Sequence, residues 1–196
     1  IEIATNGLWS TPSIVFGLFG LAFLVPRLGN TASLLSGQLV LAFMLLPVVV
    51  ITTREALLSV PDEYRDASAA LGVSRWETIK SVVLPAAMPG IITGVILGVG
   101  RIAGETAPIL LVMVNQPFPS SAPDIVSTTG AFPFVELNLV QPASALPYQL
   151  YAIITAGVGG QESFAWGTAL VLLLVVLTFY AIGIGSRRFF RRKLDQ

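Results

Sequence analysis

The sequence predicts an all-α integral membrane protein, and three observations carry that expectation. Of its 196 residues 54% are hydrophobic and only 11% charged, where soluble domains carry roughly a quarter charged residues. Uncharged apolar runs long enough to cross a bilayer recur along the chain. The charges are concentrated in a polar stretch between two such runs and in a tail after the last.

About four spans are expected, near residues 8–26, 31–53, 86–114 and 163–186, forming a single transmembrane domain over 1–196. Residues 1–9 read as a surface lead-in with Trp9 as an interface anchor. The first span is slightly short and draws on Leu8 and Trp9; Gly17 and Gly20 in it permit close helix contact. The turn at Arg27–Thr31 leads into the second span, which Pro47 should kink by removing a backbone donor. Arg54 and Glu55 then mark an exit to water. In the third span Gly90, Gly94 and Gly98 recur every four residues, a ridge of small residues on which another helix can pack. At 100° per residue Arg101, Glu105 and Pro108 continue that face, so the two charges are expected to point at a partner helix or a pathway rather than at lipid. From Asn115 to Glu162 the chain is Pro-rich, without Lys or Arg, and reads as a long loop, with Ala145–Val158 a surface-lying helix. The fourth span ends in the basic run Arg187–Lys193.

Several chemistries are excluded. There is no cysteine and no histidine, which removes disulfides, thiolate metal sites and the commonest general base; no metal site is expected. A G-x-x-x-x-G-K-[ST] loop is absent, so this chain does not itself cradle ATP. Gly98-Val99-Gly100 with Gly104 lies in an apolar helix with no preceding strand and is not a dinucleotide loop. Asp62, Asp66, Asp124 and Asp195 all fall outside the spans, against an intramembrane aspartyl protease. Zero net charge gives no argument for nucleic acid.

The polar stretch 54–85 is the most informative part. Pro61 and the acidic Asp62, Glu63 and Asp66 suit the positive start of a helix. Gly72 stands where a left-handed glycine would close it. Ser74 with Glu77 three residues on is a capping box for a second helix, which Pro85 is expected to stop. Two short helices with a sharp turn at Gly72-Val73 make a docking element for a soluble partner. Counting Lys and Arg places Arg54, Arg65, Arg75, Lys80 and the basic tail on one side and Arg27 on the other. The positive-inside rule therefore puts 54–85 and both ends in the cytoplasm, with 115–162 as an extracytoplasmic loop.

That stretch resembles the EAA loop of ABC-importer permeases: Asp66-Ala67-Ser68 in the place of Glu-Ala-Ala, Gly72 six residues on, then Val82-Val83-Leu84-Pro85 in the place of Ile-x-Leu-Pro. Asp66 departs from the family's Glu and Val82 from its Ile. Pro12–Gly20 is similar to the third transmembrane segment of phosphate-transporter permeases, Arg101-Ile102-Ala103-Gly104-Glu105-Thr106-Ala107-Pro108 to their R-x-x-GETAP signature, and Leu146–Tyr151 to their segment before the last span. In order, these cover most of the chain and resemble the PstA-type permeases of phosphate importers.

The resemblance implies a type I ABC-importer permease fold of six spans, of which this chain, opening on Ile1 without a signal-peptide pattern, would hold the last four in a bacterial inner membrane. It implies a coupling loop of Asp66, Ala67, Ser68, Gly72, Val82, Leu84 and Pro85, and a substrate pathway touching Arg101, Glu105 and Thr106. Its implied partners are ATPase subunits, a second homologous permease and an extracytoplasmic phosphate-binding protein. No cofactor is expected on this chain, ATP and Mg belonging to the ATPase. An Arg inside a span costs about 2.5–3.5 kcal/mol on insertion scales, so Arg101 suits either an anion path, its planar fork matching phosphate, or an ion pair with Glu105. The alternatives are a permease for another oxyanion (molybdate, sulfate or phosphonate) and an ATPase-independent channel or scaffold.

Overall fold

The computed structural model describes residues 2–29, 31–114, 126–128, 135–137, 139, 142–156 and 162–194. Most of the expected 115–162 loop, with Asp124, lies outside the described residues, as do Asp195 and the tail side chains beyond Arg187.

The chain is helical. In order come α1 (Glu2–Ser10), α2 (Ser13–Phe19), a π-helical turn (Gly20–Leu24), α3 (Val25–Arg27), α4 (Leu34–Leu58), α5 (Asp62–Ala70), α6 (Arg75–Thr78), a second π-helical turn (Ile79–Val83), α7 (Leu84–Ala103), α8 (Ala107–Val112), α9 (Leu146–Ala156) and α10 (Glu162–Leu194). Two short strands interrupt this between α8 and α9, β1 (Val126–Thr128) and β2 (Val135–Leu137), paired antiparallel with Ser127 opposite Glu136.

Among the described residues, three helical stretches are long and apolar enough to cross a membrane: Leu34–Leu58, Arg75–Ala103 and Ser163–Arg187. The expected first span differs. Its intended extension, Leu8 and Trp9, belongs to α1, and the chain breaks before Pro12, which caps α2 in an extended conformation. What remains, Ser13–Arg27, is a shorter apolar helix, below the roughly 20 residues a crossing needs. The second span also runs further than expected, since α4 continues through Arg54 and Glu55 to Leu58.

The prolines explain a further difference. Pro85 does not stop its helix: α6, the π-helical turn and α7 form one rod from Arg75. The residue before it, Leu84, donates to the carbonyl of Ile79, five back rather than four. The same arrangement precedes Pro26, where Val25 donates to Gly20. A proline ring in a regular helix strikes the carbonyl four residues earlier; one residue of extra turn moves that carbonyl aside, which is why a π-turn accommodates the ring. Pro47 and Pro89 sit inside α4 and α7 without ending them.

Two compact units are present. The first takes residues up to Trp9, Leu45–Arg101 and α10 from Val176 onward; the second takes Ser10–Met44 and Ile102–Val175. In the first unit α7 is central. Its glycine ridge lies on α4: a Cβ on Gly90 would come 2.8 Å from the Ala56 Cβ, one on Gly98 2.7 Å from Leu45 Cδ1, and one on Gly94 would overlap the Thr52 side chain. Gly183 of α10 is similarly close to Ile96, at 3.1 Å, and Gly100 to Phe179, at 3.3 Å. A small core of Ala56, Val60, Val83 and Ala87, with Leu57 and Ile91 against it, closes the end of the unit beside α5 and α6.

In the second unit α8 is the hub. Gly17 approaches Pro108 and Leu111, and Gly20 fits against Val40 and Val112. Val25, Val40 and Val112 form one core cluster. Ile109, Met113, Ala143, Tyr148 and Ala152 form another. The helix expected to lie on the surface near Ala145–Val158 is thus α9, one face of which is buried.

Candidate functional site

The polar element between α4 and α7 is built by local rules. α5 opens after Pro61 with Asp62 and Glu63 in its first turn, favourable charges for a helix N-terminus. It closes on Gly72 at φ +75°. There the Gly72 N–H donates to the Ala69 carbonyl (3.0 Å) and the Val73 N–H to the Ser68 carbonyl (3.1 Å), the two bonds of a Schellman cap. Ser74 then caps α6, its Oγ accepting from the Glu77 N–H at 3.3 Å.

The Asp66-Ala67-Ser68 triplet divides by face. Asp66 and Ala67 are exposed, while Ser68 is buried and its hydroxyl donates back to the Tyr64 carbonyl (3.0 Å). Val82 is half-buried in the second π-turn, and Leu84 and Pro85 are exposed just past it. Around the Gly72 turn the solvent side is unusually apolar: Leu71 is 83% exposed and Trp76 73%. Leu58, Tyr64, Val73 and Ile79, in the same stretch of chain, are exposed as well. Outside the bilayer, large exposed apolar groups gathered in one place mark a contact surface.

Arg65 holds this element to the span before it. Its Nη1 donates to Asp62 at 2.6 Å, a solvent-exposed pair of small energetic weight. Its Nη2 donates to the Leu57 carbonyl at 3.0 Å, placing a cation at the C-terminal end of α4.

The membrane candidates are placed differently from the expectation that they share one helical face. α7 ends at Ala103; Glu105 follows a turn in which its N–H donates to the Ile102 carbonyl (3.0 Å). Thr106 is the N-cap of α8, with Pro108 in its first turn. Gly104 between a helix and a proline-led helix start explains the break, since both ends are favoured there. Arg101 lies in the last turn of α7 and is exposed rather than buried in the span. Its guanidinium carbon stands 4.9 Å from the centroid of the Trp9 ring. Arg101 belongs to the first unit, Glu105 and Thr106 to the second. Among the described residues no cluster of three or more His, Cys, Asp or Glu could hold a metal.

Sequence reasoning missed two features. Ser33 and Ser36 are fully buried. The Ser33 Oγ accepts from the Ser36 N–H (3.2 Å), and the Ser36 Oγ accepts in turn from the Ser33 N–H (3.2 Å). The Ser36 hydroxyl also donates to the Val112 carbonyl at 2.6 Å. This is a capping box with serine in the place of glutamate at its third position, and it joins the start of α4 to the end of α8. The S-x-x-S spacing was its only signal. The other is Tyr148, in the segment before the last span: burial raises its hydroxyl pKa above the ordinary tyrosine value, with Tyr151 adding to the effect.

The family described as binding-protein-dependent transport system inner membrane component matches residues 2–196. The chain is 40% identical over 183 residues to a probable ABC transporter permease protein, YqgI, of Bacillus subtilis, covering 91% of this chain and 60% of that protein. It is 36% identical over 186 residues to the phosphate transport system permease protein PstA of Haemophilus influenzae (95% and 59%). With the phosphate transport system permease protein PstA 1 of Mycobacterium tuberculosis it shares 38% over 168 residues (85% and 49%). The chain spans about half to three fifths of the length of these relatives.

Proposed function

The chain belongs to the family of binding-protein-dependent transport system inner membrane components, and from that premise we propose that it is the permease subunit of an ATP-driven importer of inorganic phosphate. The family is one of multi-pass inner-membrane transport permeases, not of enzymes. The observation that carries the proposal is the capped pair α5 and α6. The left-handed turn at Gly72 fixes the pair, and Leu71 and Trp76 stand exposed around it. A separate ATPase subunit docks on this surface from the cytoplasm, which places 54–85 on that side. ATP and its Mg are held there, not here. A second related permease completes the pathway, and an extracytoplasmic binding protein delivers the anion.

Phosphate is supported by the names of the Haemophilus and Mycobacterium relatives, both phosphate transport system permease proteins. It is also supported by an Arg at the end of α7, whose planar fork of donors suits a phosphate oxygen pair. Arg101, Glu105 and Thr106 line the path in this reading.

Two measurements on the full-length protein test it. Purification in mild detergent should retain an ATPase and a second permease; a clean single species from cells expressing those partners would leave the channel or scaffold reading standing. Uptake of labelled phosphate should be blocked by excess phosphate and not by molybdate, sulfate or phosphonate; inhibition by one of those instead would reassign the anion.

A further inference from the structure

Trp9 and Arg101 both belong to the first unit but come from segments far apart in sequence, and they meet there. Trp9 is the next-to-last residue of α1 and Arg101 lies in the last turn of α7, with the guanidinium carbon 4.9 Å from the indole centroid. A tryptophan at a membrane surface is satisfied by the interface alone, and an arginine in a last turn by the helix dipole alone. Neither requires the other, so their juxtaposition is a feature of this chain.

We infer that Trp9 is a positioning residue for Arg101, holding the guanidinium as a platform for an oxyanion of the phosphate class. This rests on the reading of Arg101 as part of the anion path. The ring attracts the cation through its face, whereas the fork that grips an oxyanion leaves from the in-plane N–H edges of the guanidinium. An arginine stacked on a ring face can therefore still offer those edges. A long side chain held over a ring has less rotamer freedom left to lose when the anion arrives, and affinity rises by that saving. Trp9 is 45% exposed and Arg101 is exposed too, so neither side chain is sealed inside the unit. Tryptophan is the strongest of the three rings for this purpose.

The test uses phosphate uptake by the assembled transporter carrying Trp9→Leu, Trp9→Phe, Trp9→Tyr or Arg101→Gln, with the amount of assembled complex measured for each. Trp9→Leu should raise the KM for phosphate about two- to five-fold, the range expected from an exposed cation–π contact, while the maximal rate per complex is retained. Trp9→Phe and Trp9→Tyr should fall between Leu and wild type. A purely structural Trp9 would lower the amount of complex and leave KM alone. If Trp9→Leu does not assemble, the aromatic pair decides by the same KM comparison, and a wild-type KM in both overturns the inference. An unchanged KM in assembled Trp9→Leu, with uptake lost in assembled Arg101→Gln, overturns it and leaves Arg101 in the path. Normal uptake by Arg101→Gln would remove Arg101 from the path and this inference with it.

Discussion

At the scale of single residues, backbone conformation and hydrogen bonding can be separated. A Cβ at Gly72 would meet nothing within 4 Å, so the cost of replacing it comes from φ +75° alone. That conformation costs an ordinary residue about 1–2 kcal/mol, and asparagine less. Gly72→Asn should therefore keep ATPase binding near wild type, Gly72→Ala should weaken it, and Gly72→Val should weaken it most; equal binding by all three would mean the turn is not needed for docking. Ser36 is different, because its hydroxyl is committed to Val112 and Ser33 in a fully buried site. Ser36→Ala should lower stability by about 1 kcal/mol, the usual size of such a bond, read as an earlier thermal unfolding in detergent with topology unchanged. Tyr148 adds a pH dependence. Its folded pKa is raised by burial, so the folded state holds the proton more tightly than the unfolded one. The stability this contributes is complete below the unfolded value of about 10 and is lost as pH rises through the folded one. Tyr148→Phe should flatten that part of an alkaline unfolding profile.

At the scale of elements, the glycine ridge of α7 decides how closely α4 can approach. The Cβ of an alanine at Gly94 would strike Thr52, whose branched side chain is itself fixed by a hydroxyl bond to the Val48 carbonyl (2.9 Å). Nothing flexible is available to yield, so Gly94→Ala should cost about 1–3 kcal/mol as an overpacking change and Gly94→Leu more. Thr52→Ser or Thr52→Ala should recover part of it in the double variant; absence of any recovery would place the strain elsewhere. This ridge was legible in the sequence because small residues four apart have one main use in an apolar helix. The capped α5–α6 pair was legible because capping is local chemistry, written in residues a few positions apart. The ends of the spans were not. Pro85 reads as a stop only if the helix must remain α-helical, and the π-turn at Ile79–Val83 lifts that condition. Extrapolating 100° per residue beyond Arg101 failed for the complementary reason: Gly104 and the proline-led start of α8 end one helix and begin another, which periodicity does not register. The serine box joining Ser36 to Val112 spans two distant segments, and no local pattern names a partner that far along the chain.

At the scale of the molecule, the proposed docking and the proposed force transmission fall to different residues, and the difference can be measured. Leu71 and Trp76 are exposed near the Gly72 turn; Val83 and Ala87 are 3% exposed and packed with Ala56 and Val60. A partner pressing on α5 and α6 moves α7 only if that small core is stiff, since close-packed interiors transmit displacement while voids absorb it. Leu71→Asp or Trp76→Asp should therefore lower recovery of the ATPase with the permease, leaving the permease itself folded. Val83→Ala leaves the outer surface intact and opens a cavity in the core, a cost of roughly 1–3 kcal/mol on the scale of large-to-small substitutions. The ATPase should still bind and hydrolyse, but phosphate moved per ATP should fall. Measuring subunit recovery, hydrolysis and uptake on the same preparations separates the two classes. If Val83→Ala lost the ATPase as completely as Trp76→Asp, the core would be part of the docking surface itself. If neither variant changed uptake, α5 and α6 would not be the route by which ATP hydrolysis reaches the spans.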